Sequence, residues 1–112
     1  MGTGVSAKQF QDLLDSDQPP LVIDCRRSVD YLADTGMLAG ALRRDPDRVN
    51  AWAGELPQAS SVVVYCVHGH KVSQGVAGAL ERVGIAAHYL DGGLRCKQGQ
   101  DEVHTWNPAA YR

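Results

Sequence analysis

The run Val62-Val63-Val64-Tyr65 constrains this chain more than any other feature. Four consecutive β-branched or aromatic residues favour a strand. Such a run offers no polar face to water, so the strand must be covered on both sides, as in parallel sheets. The character then changes at once, to Cys66-Val67-His68-Gly69-His70-Lys71-Val72-Ser73. This stretch reads as a strand end, a short loop containing a glycine, and the start of a helix. Cys66 falls where the strand stops, at the bottom of a cup of backbone N–H groups facing a helix N-terminus. A site of that kind favours negative charge on sulfur and binds anions.

The remaining sequence reads as the scaffold for that cup. Ser6 with Gln9 forms a capping box, and Phe10, Leu13 and Leu14 recur at helical spacing, which predicts a helix over Ser6–Asp15 that Pro19-Pro20 ends. Leu21-Val22-Ile23-Asp24-Cys25 is a second covered strand. Ser28 is placed to cap a short helix over Val29–Ala33. Gly36-Met37-Leu38-Ala39-Gly40-Ala41-Leu42 reads as a small-residue turn leading into a brief strand. Asp45-Pro46-Asp47 starts a helix over Asp47–Glu55, with Val49, Trp52 and Leu56 on its apolar side and Pro57 as its stop. The helix after the cysteine loop is expected over Val72–Val83, with Val72, Val76, Ala79, Leu80 and Val83 on one face and Gly84 as C-cap. Ile85–Leu90 reads as a further strand, Asp91-Gly92-Gly93 as a turn, and Leu94–Gln98 as a last helical turn. Gly99–Arg112 is read as a tail that packs through Trp106 and Tyr111.

Alternating helices and strands indicate an α/β domain with a mainly parallel sheet. Ligands bind such sheets at the carboxyl ends of the strands. Those ends carry Asp24-Cys25-Arg26, Cys66 and Asp91-Gly92-Gly93.

A length of 112 residues suits one domain, and 44% apolar residues can build a core. Eleven basic against 13 acidic residues, net −2, supply no basic footprint for nucleic acid. No apolar run approaches the roughly 18–20 residues of a membrane span. The first residues lack the pattern of a signal peptide, and the three cysteines, Cys25, Cys66 and Cys96, are an odd number. A reduced, cytoplasmic setting is therefore expected.

In four places, taken in order, the chain resembles single-domain rhodaneses, a sulfurtransferase family. Ile23-Asp24-Cys25-Arg26 resembles that family's strand ending in Asp-x-Arg. Gly36-Met37-Leu38-Ala39-Gly40-Ala41 resembles its Gly-His-Ile-Pro-Gly-Ala turn, with Met37 in place of histidine and Ala39 in place of proline. Cys66 to Lys71 resembles its active-site loop, with glycine three and a basic residue five positions after the cysteine, although Lys71 replaces the commoner arginine. Leu90-Asp91-Gly92-Gly93 resembles its terminal signature, and Lys97 stands near a frequent tryptophan. The resemblance covers Val5 to Gln98. It implies a rhodanese-like α/β fold over residues 1–98: a small, mainly parallel five-stranded sheet flanked by helices on both faces.

The resemblance also implies a reaction. Cys66 would be the catalytic residue, taking a sulfane sulfur from a small anionic donor such as thiosulfate and passing it to cyanide or a thiol. Val67, His68, Gly69, His70, Lys71 and Val72 would bind the substrate. A thiolate is the nucleophile, and loop N–H groups, the helix dipole and Lys71 all favour it. Asp24 and Arg26 are read as a structural ion pair bracing the loop floor. Cys25 and Cys96 are read as packing residues, with a resolving or sulfur-relay part left open for either. The Cys66, His68 and His70 spacing does not suit zinc, and no metal or cofactor is expected. Arg43 and Arg44 fit equally a charged pocket mouth and a solvated basic pair. The alternatives are a non-catalytic or redox-sensing module, and a phosphatase or arsenate reductase of the same fold. A monomer or weak homodimer is expected.

Overall fold

A computed structural model describes residues 3–33, 36–38, 40–56, 61–67 and 71–94. In chain order the elements are β1 (Thr3–Val5), α1 (Ala7–Leu14), β2 (Leu21–Asp24), α2 (Ser28–Ala33), β3 (Leu42–Arg43), α3 (Val49–Trp52), β4 (Val62–Tyr65), α4 (Lys71–Arg82) and β5 (Ala87–Leu90). The five strands form one sheet in the order β1-β5-β4-β2-β3, and every neighbouring pair is parallel. β4 is central, and all four of its residues are buried.

Alternation along β4 sorts the core into two layers. Val63 and Tyr65 pack with Val5, Phe10, Val22 and Leu90 on the face covered by α1. Val62, Val64 and Cys66 pack with Ile23, Cys25, Trp52, Val76 and Leu80 on the face covered by α3 and α4. Helices thus lie on both faces, which is why the valine run has no polar side.

The expected α1 is present. Ser6 Oγ accepts from the Gln9 N–H at 3.1 Å, and Gln9 Oε1 accepts from the Ser6 N–H at 2.8 Å. α4 ends as Gly84 foreshadows, since this residue takes φ +87°. The Ile85 N–H reaches Leu80 O and the Gly84 N–H reaches Glu81 O, both at 3.0 Å, in the paired pattern of a Schellman cap. That cap occupies Ile85, so β5 begins at Ala87 instead of Ile85. It also turns Val83 out of the expected apolar stripe, leaving it 56% exposed. The buried residues of α4 are Ser73, Val76, Ala77, Gly78 and Leu80.

Three further expectations change. β1 has no sequence signal: it holds three residues, one of them buried, and is fixed by pairing with β5 and by the Asp91 N–H bonding Val5 O at 2.8 Å. Ser28 is the first residue of α2, which contains no buried residue. The helix expected over Asp47–Glu55 is a single α-turn, α3, between 3₁₀ turns at Pro46–Arg48 and Ala53–Glu55. Asp45 caps the first of these, and its carbonyl accepts from Trp52 Nε1 at 2.8 Å, which pins the segment tightly. The expected helical turn at Leu94–Gln98 and the tail lie outside the described residues beyond Leu94. Among the described residues no helix is long and apolar enough to cross a membrane.

Phe10 is fully buried between α1 and the sheet. Phe10→Ala should lower the unfolding free energy by about 3–5 kcal/mol, read as a lower urea midpoint. A change below ~1 kcal/mol would mean that α1 does not anchor this layer.

Candidate active site

Cys66 stands at the carboxyl end of the central strand and is 6% exposed. Its carbonyl accepts from the Leu94 N–H at 2.8 Å. Gly92 at φ +79° and Gly93 at φ +58° make the turn that brings Leu94 back over β4. Two successive left-handed residues suit glycine because neither has a Cβ to clash. The terminal Gly-Gly pair therefore holds the backbone of Cys66. Its thiol donates to Ser73 Oγ at 3.2 Å, and Ser73 is fully buried in the first turn of α4. That hydroxyl can turn to donate when the sulfur is an anion. Ser73 had no role in the sequence reading. Its position seven residues after Cys66 and one turn inside the helix is the signal that could have found it.

Among the residues expected to bind substrate, His68, Gly69 and His70 lie outside the described residues. Val67 is half-buried beyond β4. Lys71 is exposed as the first residue of α4, and Val72 packs partly buried against the core. Lys71 also borders a cleft of about 490 Å³ between α4 and residues 46–50, with Arg27, Arg48, Arg82 and Gly75 among its walls.

Asp24 and Arg26 form the expected ion pair, at 2.7 Å with 0% and 1% exposure. The structure shows what they brace. Asp24 Oδ1 accepts from the Arg26 N–H at 3.0 Å, and Oδ2 accepts from the Tyr65 hydroxyl at 3.0 Å. Arg26 Nη2 also donates to Gly36 O at 2.8 Å, while the Leu38 N–H donates to the Tyr65 hydroxyl oxygen at 3.1 Å. The pair thus ties the turn at 36–38 to the strand end just before Cys66. Tyr65 is the link, and the sequence reading placed it only as a strand residue. A lone hydroxyl in an otherwise aliphatic strand was its signal.

Arg43 is half-buried and, with Arg26, Arg27 and Arg44, lines a cleft of about 380 Å³. Its Nη1 donates to Arg26 O at 2.8 Å, and its guanidinium lies 4.3 Å from the centre of the Tyr31 ring, which also faces Arg26 at 5.2 Å. Arg44 donates to Arg43 O at 2.8 Å. Cys25 is fully buried, its Sγ donating to Tyr65 O at 3.3 Å. Cys96 lies outside the described residues. No group of three or more His, Cys, Asp or Glu among the described residues is placed to hold a metal.

Burial pushes the Cys25 thiol well above the ordinary range, with charge on Cys66 and Asp24 adding to it. Burial, then the Asp24 carboxylate, does the same to the Tyr65 hydroxyl. Both groups keep their protons in the fold at pH values where the unfolded chain has lost them. The stability they contribute is therefore complete below the ordinary thiol value of 9.0 and declines as pH rises above it. Urea melts on either side of that value should show this decline. Tyr65→Phe should remove part of it and cost about 1.5–3 kcal/mol below it, because the hydroxyl bonds a carboxylate. An unchanged pH profile in Tyr65→Phe would contradict the assignment.

The same chain can be compared with known proteins. No curated protein matches it. Solved structures match its fold at low identity. A rhodanese-like domain protein from Staphylococcus aureus superposes with TM-score 0.72 at 19% identity, covering 88% of this chain and 93% of that one. Thiosulfate sulfurtransferase from Pseudomonas aeruginosa gives 0.68 at 18%, covering 83% of this chain and 17% of that longer one. A protein of unknown function and possible tyrosine phosphatase from Rhodopseudomonas palustris gives 0.65 at 19%, covering 82% and 76%. The family model for the rhodanese-like domain matches residues 6–95, which take in the Asp24–Arg26 brace, Cys66, Ser73 and the Gly92-Gly93 turn. With its all-parallel sheet and its cysteine at the junction of the central strand and α4, the chain belongs to the rhodanese-like domain family.

Proposed function

We propose that the protein is a sulfurtransferase working through a persulfide on Cys66. The observation that carries this is the Cys66 sulfur at the end of the central strand, 3.2 Å from the buried Ser73 hydroxyl in the first turn of α4. The Cys66 thiolate attacks the outer sulfur of thiosulfate. The S–S bond breaks, sulfite leaves with the bonding pair, and Cys66 carries a terminal persulfide. Cyanide or a thiolate then attacks that outer sulfur, and Cys66 leaves as thiolate. The net change moves one neutral sulfur atom, so no electrons are taken from outside. Ser73 steadies the sulfur anion in both half-reactions by donating to it. Lys71, exposed at the start of α4, draws in the anionic donor.

Counting along the loop favours sulfur over phosphate. Phosphatases of this fold carry arginine six residues after the cysteine, where its planar fork grips the phosphoryl oxygens. Here the sixth residue is Val72, partly buried against the core. The only basic residue in the stretch after Cys66 is Lys71, one position earlier and lacking the fork.

Thiosulfate:cyanide transfer should be measurable by thiocyanate formation and vanish in Cys66→Ser while the circular dichroism stays native. Aryl phosphates should not be hydrolysed in a Cys66-dependent way. Phosphatase turnover lost in Cys66→Ser would reverse the assignment.

Kinetics should separate the two helper residues. Ser73→Ala should lower kcat/KM about ten- to hundred-fold, the weight of a hydrogen bond to a charged sulfur. Lys71→Ala should raise the thiosulfate KM about two- to five-fold with kcat nearly unchanged, as expected of one exposed charge. Equal losses in kcat for both variants would place Lys71 in contact with the reacting sulfur.

A further inference from the structure

Two buried thiols lie at the carboxyl ends of the neighbouring strands β2 and β4, and sulfur transfer through Cys66 leaves one of them without a task. The β2–β4 ladder runs in register from Leu21↔Val62 to Asp24↔Tyr65. One residue further, the same register sets Cys25 beside Cys66, and the Cys25 N–H still bonds Tyr65 O at 2.9 Å. Both side chains point to the face covered by α3 and α4 and belong to the same packed cluster. Neighbouring strands lie about 4.7–4.9 Å apart. That spacing falls within the roughly 4.4–6.8 Å between Cα atoms that a disulfide spans.

We propose that Cys25 is the resolving thiol of Cys66: once the Cys66 sulfur carries a leaving group, Cys25 displaces it and closes an internal Cys25–Cys66 disulfide.

The resting hydrogen bonds keep the two thiols apart in role. Cys25 donates to Tyr65 O, the carbonyl immediately before Cys66, and Cys66 donates to Ser73 Oγ. Cys25 is held protonated by burial and by charge on Cys66, so it does not compete for the donor while Cys66 is an anion. Conversion of Cys66 to a neutral oxidised form removes that charge and leaves a sulfur electrophile beside the buried thiol.

The chemistry balances with two leaving groups. A hydroperoxide oxidises the Cys66 thiolate to a sulfenic acid, and the alcohol or water leaves. Cys25 then attacks that sulfur, its proton departs with the hydroxyl as water, and the S–S bond forms. On a Cys66 persulfide the same attack falls on the inner sulfur and expels hydrosulfide, with the Cys25 proton leaving on it. The persulfide route rests on the sulfur-transfer function; the hydroperoxide route does not. In either case an external thiol can reopen the bond by attacking Cys66, the more exposed of the two sulfurs. The disulfide would shield Cys66 from over-oxidation to sulfinic acid.

The full chain, fully reduced, is treated with hydrogen peroxide, alkylated, and mapped by non-reducing peptide mass spectrometry. The expected product has lost two hydrogens, joins the Cys25 and Cys66 peptides, and returns to the starting mass with dithiothreitol. In Cys25→Ser and Cys25→Ala, Cys66 should instead go on to sulfinic acid that dithiothreitol does not reverse. Sulfinic acid on Cys66 of the wild type with Cys25 still alkylated, or a Cys66–Cys96 link, would overturn the proposal. The wild-type map decides this without either variant. In a second arm thiosulfate replaces peroxide. Hydrosulfide release with disulfide formation in the wild type and a lasting persulfide in Cys25→Ser is the expected contrast. A persulfide equally long-lived in both would remove Cys25 from the persulfide route. If no persulfide forms at all, sulfur transfer fails, and the peroxide arm alone decides on Cys25.

Discussion

Four register pairs join β2 to β4, and the rest of the molecule depends on that ladder. It places two covered strands side by side, so both helical layers have a surface to pack on. At its last rung it sets Asp24 opposite Tyr65 on the α1 face. One step on, it sets Cys25 and Cys66 on the other face. One side of the ladder's end thus carries the brace and the other carries sulfur. The two-residue period of a strand is the cause: a slip of one residue would bury the wrong set on each face.

The brace is costly on its own. An ion pair with 0% and 1% exposure gives up the hydration of both charges, and such pairs seldom stabilise a fold over apolar packing. Here every partner has a second task. Arg26 also holds Gly36 O, Asp24 also accepts from Tyr65, and Tyr65 also accepts from the Leu38 N–H. The network specifies where the 36–38 turn meets the end of β4. From the other side, Leu94 bonds Cys66 O. Cys66 is therefore gripped through its own carbonyl and through its predecessor's hydroxyl, while its thiol answers to Ser73.

Much of this was legible in the sequence wherever the signal was local. The valine run, the Ser6–Gln9 box and Gly84 each act within a few residues, and each appears where the pattern put it. The features that escaped depend on contacts between distant residues. β1 is a strand because β5 and Asp91 pair with it, a fact absent from Thr3-Gly4-Val5. Arg43 reads equally as a charge at a pocket mouth or as a solvated residue, and neither reading contains Tyr31 or Arg26 O beside it. Val83 fits the apolar stripe by spacing, yet the cap at Gly84 turns the chain away before that residue can be buried. At the site, Asp24, Arg26 and Cys66 were visible as residue types at strand ends. Tyr65 and Ser73 were not, because their roles come from facing a partner across the sheet or along a helix turn.

The central claim is that Cys66 is the sulfur-carrying nucleophile. Crystals of the Cys25→Ser variant, in which a Cys66 persulfide has no neighbouring thiol to displace it, soaked in thiosulfate and examined without reductant, test it most directly. The account predicts electron density for one additional sulfur bonded to Cys66 Sγ, with Ser73 Oγ still within hydrogen-bonding distance of Sγ. An unmodified Cys66 beside an extra sulfur on Cys96, or no modified cysteine in crystals whose site is open to solvent, would contradict it.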